Sequence, residues 1–281
     1  MQLKERKKCM EWIKISASEL ANMRDKSNVC IVPLGCLEKH SEHLPLGTDS
    51  LLAYKLACLA AEKEAALVFP PQHYMMVASA AAQPGAVVFD AKMTIEIVEH
   101  LFDEIARNGF KKIILYNFHG GNRNIAGLFL QNHLARQPRD YALYLPKFDW
   151  EVEDVIATYC QSAFGGHADE WETSLMLHLY PELVDMRKVP AKQVGHPTHC
   201  LQALQDKQVK TAVDFYANYP THYAGEAAYA TAQVGKRAAT KIVDRLAEVI
   251  ATVKNDDAAL RVQRQFSDLV ARAAQNMGVS V

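Results

Sequence analysis

The sequence predicts an α/β protein, a three-layer α/β/α sandwich with a largely parallel central sheet. Two observations carry this reading. Four short runs rich in Val, Ile, Leu and Tyr are apolar without alternation, as strands covered on both faces are. The stretches between them are long enough for crossover connections and carry helical spacing, which joins parallel rather than antiparallel neighbours. The first strand is expected at Val29 to Leu34 and the second at Ala66 to Phe69. A third is expected at Lys112 to Asn117 and a fourth at Tyr141 to Leu145.

A helix from Ser50 to Glu64 follows Asp49, which has the chemistry of an N-cap. The next, Thr94 to Asn108, places Ile95, Val98, Phe102 and Ile105 on one face and stops at Gly109. Further helices are expected at Arg123 to Arg136, Val152 to Gln161, Glu170 to Leu179 and Gly225 to Val253. No repeat or linker-like run divides the chain before about residue 255, so residues 1–255 read as one domain. Residues 256–281 read as a helical tail bearing Leu260, Val262, Phe266, Leu269 and Val270, suited to packing on the domain or on a neighbouring subunit.

Composition excludes several classes of function. The 281 residues are 49% hydrophobic and 22% charged, as in ordinary globular proteins. A formal net charge of -1 lacks the basic excess that displaces counterions from nucleic acid. No run approaches the roughly 20 apolar residues of a membrane helix. The basic start MQLKERKKCMEW has no apolar core of a secretion signal, and Cys9, Cys30, Cys36, Cys58, Cys160 and Cys200 form no CxxC pair. Reduced thiols and a cytoplasmic location are the expectation.

In open α/β sheets ligands bind beyond the carboxyl ends of the strands. After the first strand come Glu38 and His40, two apart, so that an extended backbone sends both side chains to one side. Asp49 follows a Pro/Gly loop able to fold back onto them, and His119 arrives from the end of the third strand. Carboxylate and imidazole without thiolate suit zinc, manganese or iron(II) in a hydrolytic site. Asp49 has the competing role of helix cap. Gly120 and Gly121 allow close backbone approach to a ligand or simply a tight turn, and together with Asn122 are candidates for substrate contact. A third cluster, Gly165 to Ser174, offers Glu172 as a metal ligand and His167 or Glu172 as the catalytic proton-transfer group. Asp169 and Glu170 suit the positive end of a helix, Glu170 being a second candidate near the substrate. His43 is read as a solvated loop residue, and His73, His222 and Tyr223 as shaping substrate access. Cys36 is read as a small buried side chain rather than a nucleophile.

Three stretches together resemble the creatininase family of metal-dependent amidohydrolases: IVPLGCLEKHSEHLPLGTD at Ile31 to Asp49, NFHGGN at Asn117 to Asn122, and GHADEWETSLML at Gly166 to Leu177. GEAAYATAQVG at Gly225 to Gly235 is a weaker match. The resemblance implies the same three-layer fold, a homo-oligomer, often a hexamer, and two divalent ions per subunit. By analogy Glu38 and His119 hold one ion and His40 the other, Asp49 bridges, and His167 stands near the substrate. Creatininase has a glutamate for its second metal where this chain has Gly121. The replacement carboxylate is expected from Glu172, with Glu170 next. The function so implied is hydrolysis of a C–N amide bond in a small, cyclic, polar substrate. Two alternatives are hydrolysis of a carbon–carbon bond in a cyclic keto-sugar or keto-cyclitol, and a non-catalytic metal- or metabolite-binding protein on this scaffold.

Overall fold

The computed structural model describes residues 10–147, 152–162 and 165–276. Its elements in chain order are β1 (Met10–Glu11), α1 (Ala17–Lys26), β2 (Val29–Leu34), α2 (Thr48–Lys63), β3 (Leu67–Val68), α3 (Ala91–Arg107), β4 (Lys112–Asn117), α4 (Arg123–Ala135) and β5 (Ala142–Tyr144). After them come α5 (Glu153–Tyr159), α6 (Glu170–Leu179), the short α7 (Gln202–Gln205) and α8 (Asp214–Asn218), then α9 (Ala232–Asn255) and α10 (Ala258–Asn276). The sheet has the order β1-β3-β2-β4-β5 and every pairing is parallel.

Alternation along the central strands separates two cores. Val29, Ile31, Ile114 and Tyr116 face α2, α6 and α9, meeting Leu56, Met176 and Ile242. Cys30, Val32, Ile113 and Leu115 face α1, α3 and α4, meeting Met23, Phe102 and Phe129. The expected three layers follow, and β2 and β4 match their predicted bounds because each is buried on both faces.

Four elements were not anticipated: β1, α1 and the short α7 and α8. β1 is two residues long, too short to show a period. α1 opens with a capping box in which Ser16 and Glu19 satisfy each other's backbone N–H groups, but its exposed surface leaves little apolar pattern. α9 begins at Ala232 rather than near Gly225. Gly225 lies at φ 141°, outside helical conformation, and Thr231 caps the helix through the N–H of Val234. α9 crosses α6 at Gly235, where an added Cβ would come within 1.8 Å of the Ser174 carbonyl oxygen. α10 rests against the β5 edge, Gln263 donating to the carbonyls of Arg139 and Tyr141. Its Val262, Phe266, Leu269 and Val270 are exposed. Residues 277–281 of the tail and Cys9 lie outside the described residues; the five described cysteines are free thiols. Among the described residues no helix is long and apolar enough to cross a membrane.

Candidate metal centre

The ends of β2 and β4 lie side by side, with Leu34 opposite Asn117, so the loops that follow emerge into one crevice. The first carries Cys36, Glu38 and His40, and the second carries His119. α2 returns its first turn to the same place, and Asp49 points there instead of capping. Gly47 occupies the N-cap position, and Asp49 is bound by the side chains of Cys36, His40 and His119. Asp49 therefore lies in the cluster and does not take the competing role of helix cap. Two further segments close the crevice. His167 and Ala224 form an antiparallel bridge through paired backbone hydrogen bonds of 2.9 and 3.0 Å. That bridge brings in His167 and His222, while Glu172 enters from the first turn of α6.

The geometry is organised around Asp49. Its Oδ2 lies 2.8 Å from His119 Nδ1 and 3.2 Å from Cys36 Sγ. Its Oδ1 lies 3.2 Å from His40 Nε2. Glu38 Oε1 is 3.0 Å from His119 Nδ1 and 3.8 Å from His167 Nδ1. The outer nitrogens settle the tautomers. His119 Nε2 faces the carbonyl of Met76 at 2.9 Å and His40 Nδ1 that of Glu38 at 3.2 Å. A carbonyl only accepts, so each outer nitrogen donates and each inner nitrogen turns a lone pair toward carboxylate oxygen. A lone pair facing a carboxylate is repulsive unless a cation or a proton lies between them. Outer hydrogen bonds of this type orient metal-binding histidines generally.

Without a metal, protons take that place. Burial lowers the basicity of His40, but the Asp49 carboxylate outweighs it and raises its pKa to about 9. His119 is likewise pushed well above its ordinary value by Glu38 and Asp49 against the effect of burial. Both carboxylates, although buried, are held in the ionised form by these imidazoles. Burial raises Glu172 to about 8 and lowers His167 to about 4. The buried donor atoms fall into three groups: Cys36, Glu38, Asp49 and His119; Glu38, His167 and His222; and His40, His167 and Glu172. This chemistry fits divalent ions.

The other anticipated residues divide between the cluster and its surroundings. Glu170 is turned away, accepting from the backbone N–H groups of Gln161 and Ser162. Asp169 caps α6 through the N–H groups of Trp171 and Glu172. Asn122 bridges three segments: its amide donates to the Gly35 carbonyl and to Asn117, and its oxygen accepts from Met76 N–H. Gly120 is exposed with open space around it. Gly121 is sterically required, since a Cβ would stand 2.4 Å from His119 Nε2 and 2.6 Å from the Met76 carbonyl. His43 is buried, not solvated, and bonds to Thr173 Oγ1 at 2.9 Å. Cys36 is buried as expected, but its thiol donates into the cluster. His222, read only as shaping access, lies at the centre with Nε2 2.7 Å from Glu38 Oε2. Three non-glycine residues at this site have left-handed backbone: Ser41 (φ 58°), Ala168 (φ 54°) and His222 (φ 58°). Such conformations persist where the surroundings over-determine them.

The creatininase family model, described as creatinine amidohydrolase, matches residues 14–250. The chain belongs to the creatininase family. The creatinine amidohydrolase of Pseudomonas putida is 31% identical over 185 residues, 60% of this chain and 69% of that protein. The mycofactocin precursor peptide peptidase of Mycolicibacterium smegmatis is 30% identical over 54% of this chain and 58% of its own length. The 3-dehydro-scyllo-inosose hydrolase of Thermotoga maritima is 26% identical over 59% of this chain and 55% of its own length. A crystal structure of creatininase superposes with a TM-score of 0.73 at 23% identity, covering 88% of this chain and 99% of that one. A manganese form superposes with a TM-score of 0.72 at 24% identity, covering 89% of this chain and 100% of that one. Members of this creatininase family are metal-dependent amidohydrolases, and this chain is a hydrolase of that family.

Proposed function

We propose that this creatininase-family enzyme binds two divalent ions, zinc or manganese, and hydrolyses the C–N amide bond of a small, cyclic, polar substrate. Glu38 and His119 would hold one ion and His40 and Glu172 the other, with Asp49 between them. The observation that carries this reading is the division of Asp49, whose two oxygens face the inward nitrogens of two different histidines. Glu172 supplies the carboxylate that Gly121 cannot, because it shares a donor group with His40 and His167.

Bound ions of this kind polarise a carbonyl and lower the pKa of a water between them toward about 7. The protein's own part is proton handling. His167 Nε2 donates to the Lys39 carbonyl at 2.7 Å, so the Nδ1 lone pair of the neutral ring faces the cluster. Burial and the neighbouring His40 keep this ring neutral at pH 7. Nδ1 is therefore ready to take a proton from the attacking water and pass it to the leaving nitrogen, as the C–N bond breaks and the water oxygen stays on carbon.

The test is a metal count by mass spectrometry on the purified protein, followed by a panel of cyclic amides, formamides and oxidised cyclitols. Two ions per chain, and amine release that stops on chelation and returns with metal, are expected. Full activity after metal removal refutes the mechanism, and a ring-opened cyclitol without amine release would assign carbon–carbon hydrolysis instead.

A further inference from the structure

Among the described residues, His222 makes the one hydrogen bond to the Glu38 side chain from outside the three motif stretches. It lies 184 residues away in sequence, is fully buried, and sits 2.7 Å from Glu38 Oε2. The partner is a carboxylate held ionised, so Nε2 donates. Its Nδ1 is buried without a hydrogen-bond partner. The ring is wedged edge-on against Phe215 and His167, at centroid distances of 4.9 and 4.7 Å. Its backbone is held at φ 58° beside the bridge that joins His167 to Ala224. Packing and backbone together fix the imidazole, and the imidazole fixes which Glu38 oxygen is engaged.

We infer that His222 is a positioning residue that occupies Glu38 Oε2 and thereby presents Oε1 to the ion shared with His119 and Asp49. Oε1 is the oxygen that faces the inward nitrogen of His119 at 3.0 Å. A carboxylate with one oxygen tied down has lost the freedom to rotate and offers a single preoriented donor. Losing such an outer partner costs metal affinity about 10- to 100-fold. Among the described residues His222 has no hydrogen bond or ring contact with His40 or Glu172, the residues that would hold the other ion, so the two affinities should separate in a His222 variant. This inference rests on the two-ion reading above.

The experiment is zinc binding to the full chain by chelator competition, comparing wild type with His222→Asn and His222→Gln. Asparagine tolerates the left-handed backbone but its amide is too short to reach Glu38, whereas glutamine places an N–H donor near the position of Nε2. His222→Asn is expected to weaken one of two sites by about 10- to 100-fold and leave the other unchanged. His222→Gln is expected to restore most of that loss. Melting temperatures of the metal-free variants establish that each is folded. Wild-type affinity in His222→Asn overturns the inference. Equal losses in folded Asn and Gln variants overturn it too, because His222 would then act as a direct ligand. Failure of the wild type to bind zinc or manganese at all would instead refute the two-ion reading.

Discussion

Raising the pH of the metal-free enzyme from 6.5 to 9 should destabilise it, and the size of the effect can be worked from His40. Its imidazole is fully buried and its pKa rises from an ordinary 6.5 to about 9 beside Asp49. A base with a raised native pKa contributes stability that is complete below the unfolded value and is lost as pH climbs through the folded value. The interval from 6.5 to about 9, at about 1.36 kcal/mol per pH unit, corresponds to on the order of 3 kcal/mol. Glu172, kept protonated up to about 8 by burial, adds a loss of the same sign below that pH. His167, lowered to about 4, adds only a small opposing gain at the low end of this window, where its unfolded ring is still partly protonated while the folded ring is neutral. For 281 residues the unfolding entropy is about 0.6 kcal/mol/K, so 3 kcal/mol lowers the melting temperature by about 5 °C. The assay is thermal unfolding of chelator-treated protein at half-unit pH steps, beside metal-loaded protein and a His40→Gln variant. Bound metal replaces the protons, so the loaded enzyme should lose less than the stripped one. A flat or rising melting temperature in the stripped protein refutes the reasoning. So does a full decline in His40→Gln.

Three further outcomes follow from the geometry. On the proposed mechanism, in which the ring handles a proton rather than an ion, His167→Asn should lower kcat by about 10²- to 10⁴-fold while metal content stays near that of wild type; steady-state kinetics with metal analysis checks this. Gly121→Ala pushes a methyl group against His119 Nε2 and the Met76 carbonyl. It should weaken metal binding by about 10- to 100-fold in chelator competition, since the hydrogen bond that aims His119 must break. Gly235→Ala forces α9 away from the Ser174 carbonyl and should cost about 1–3 kcal/mol in denaturant unfolding, with little change in metal affinity.

Local sequence by itself determined the layers and named most of the residues that the fold gathers into one cluster. Buried parallel strands must be apolar on both faces, so β2 and β4 could be bounded from composition alone. Side chains that follow strand ends, and the helix turn that the first such loop leads into, share a crevice by topology, which is why Glu38, His40, Asp49 and His119 could be named together. The choice between Glu170 and Glu172 was not legible at this level. Both are acids in one helical turn, and only the fold shows the backbone of Gln161 and Ser162 capturing Glu170 while Glu172 turns inward. Gly121 likewise reads as a missing carboxylate until its place beneath His119 shows that no side chain fits. His222 stands 184 residues from Glu38 and has no motif around it. It reaches the site through a two-residue bridge and a left-handed turn, features that leave no periodic trace in sequence. Periodicity and spacing report what a residue does within its own strand or helix. Which oxygen of which carboxylate meets which nitrogen depends on how distant segments pack, and that was decided by the tertiary structure alone.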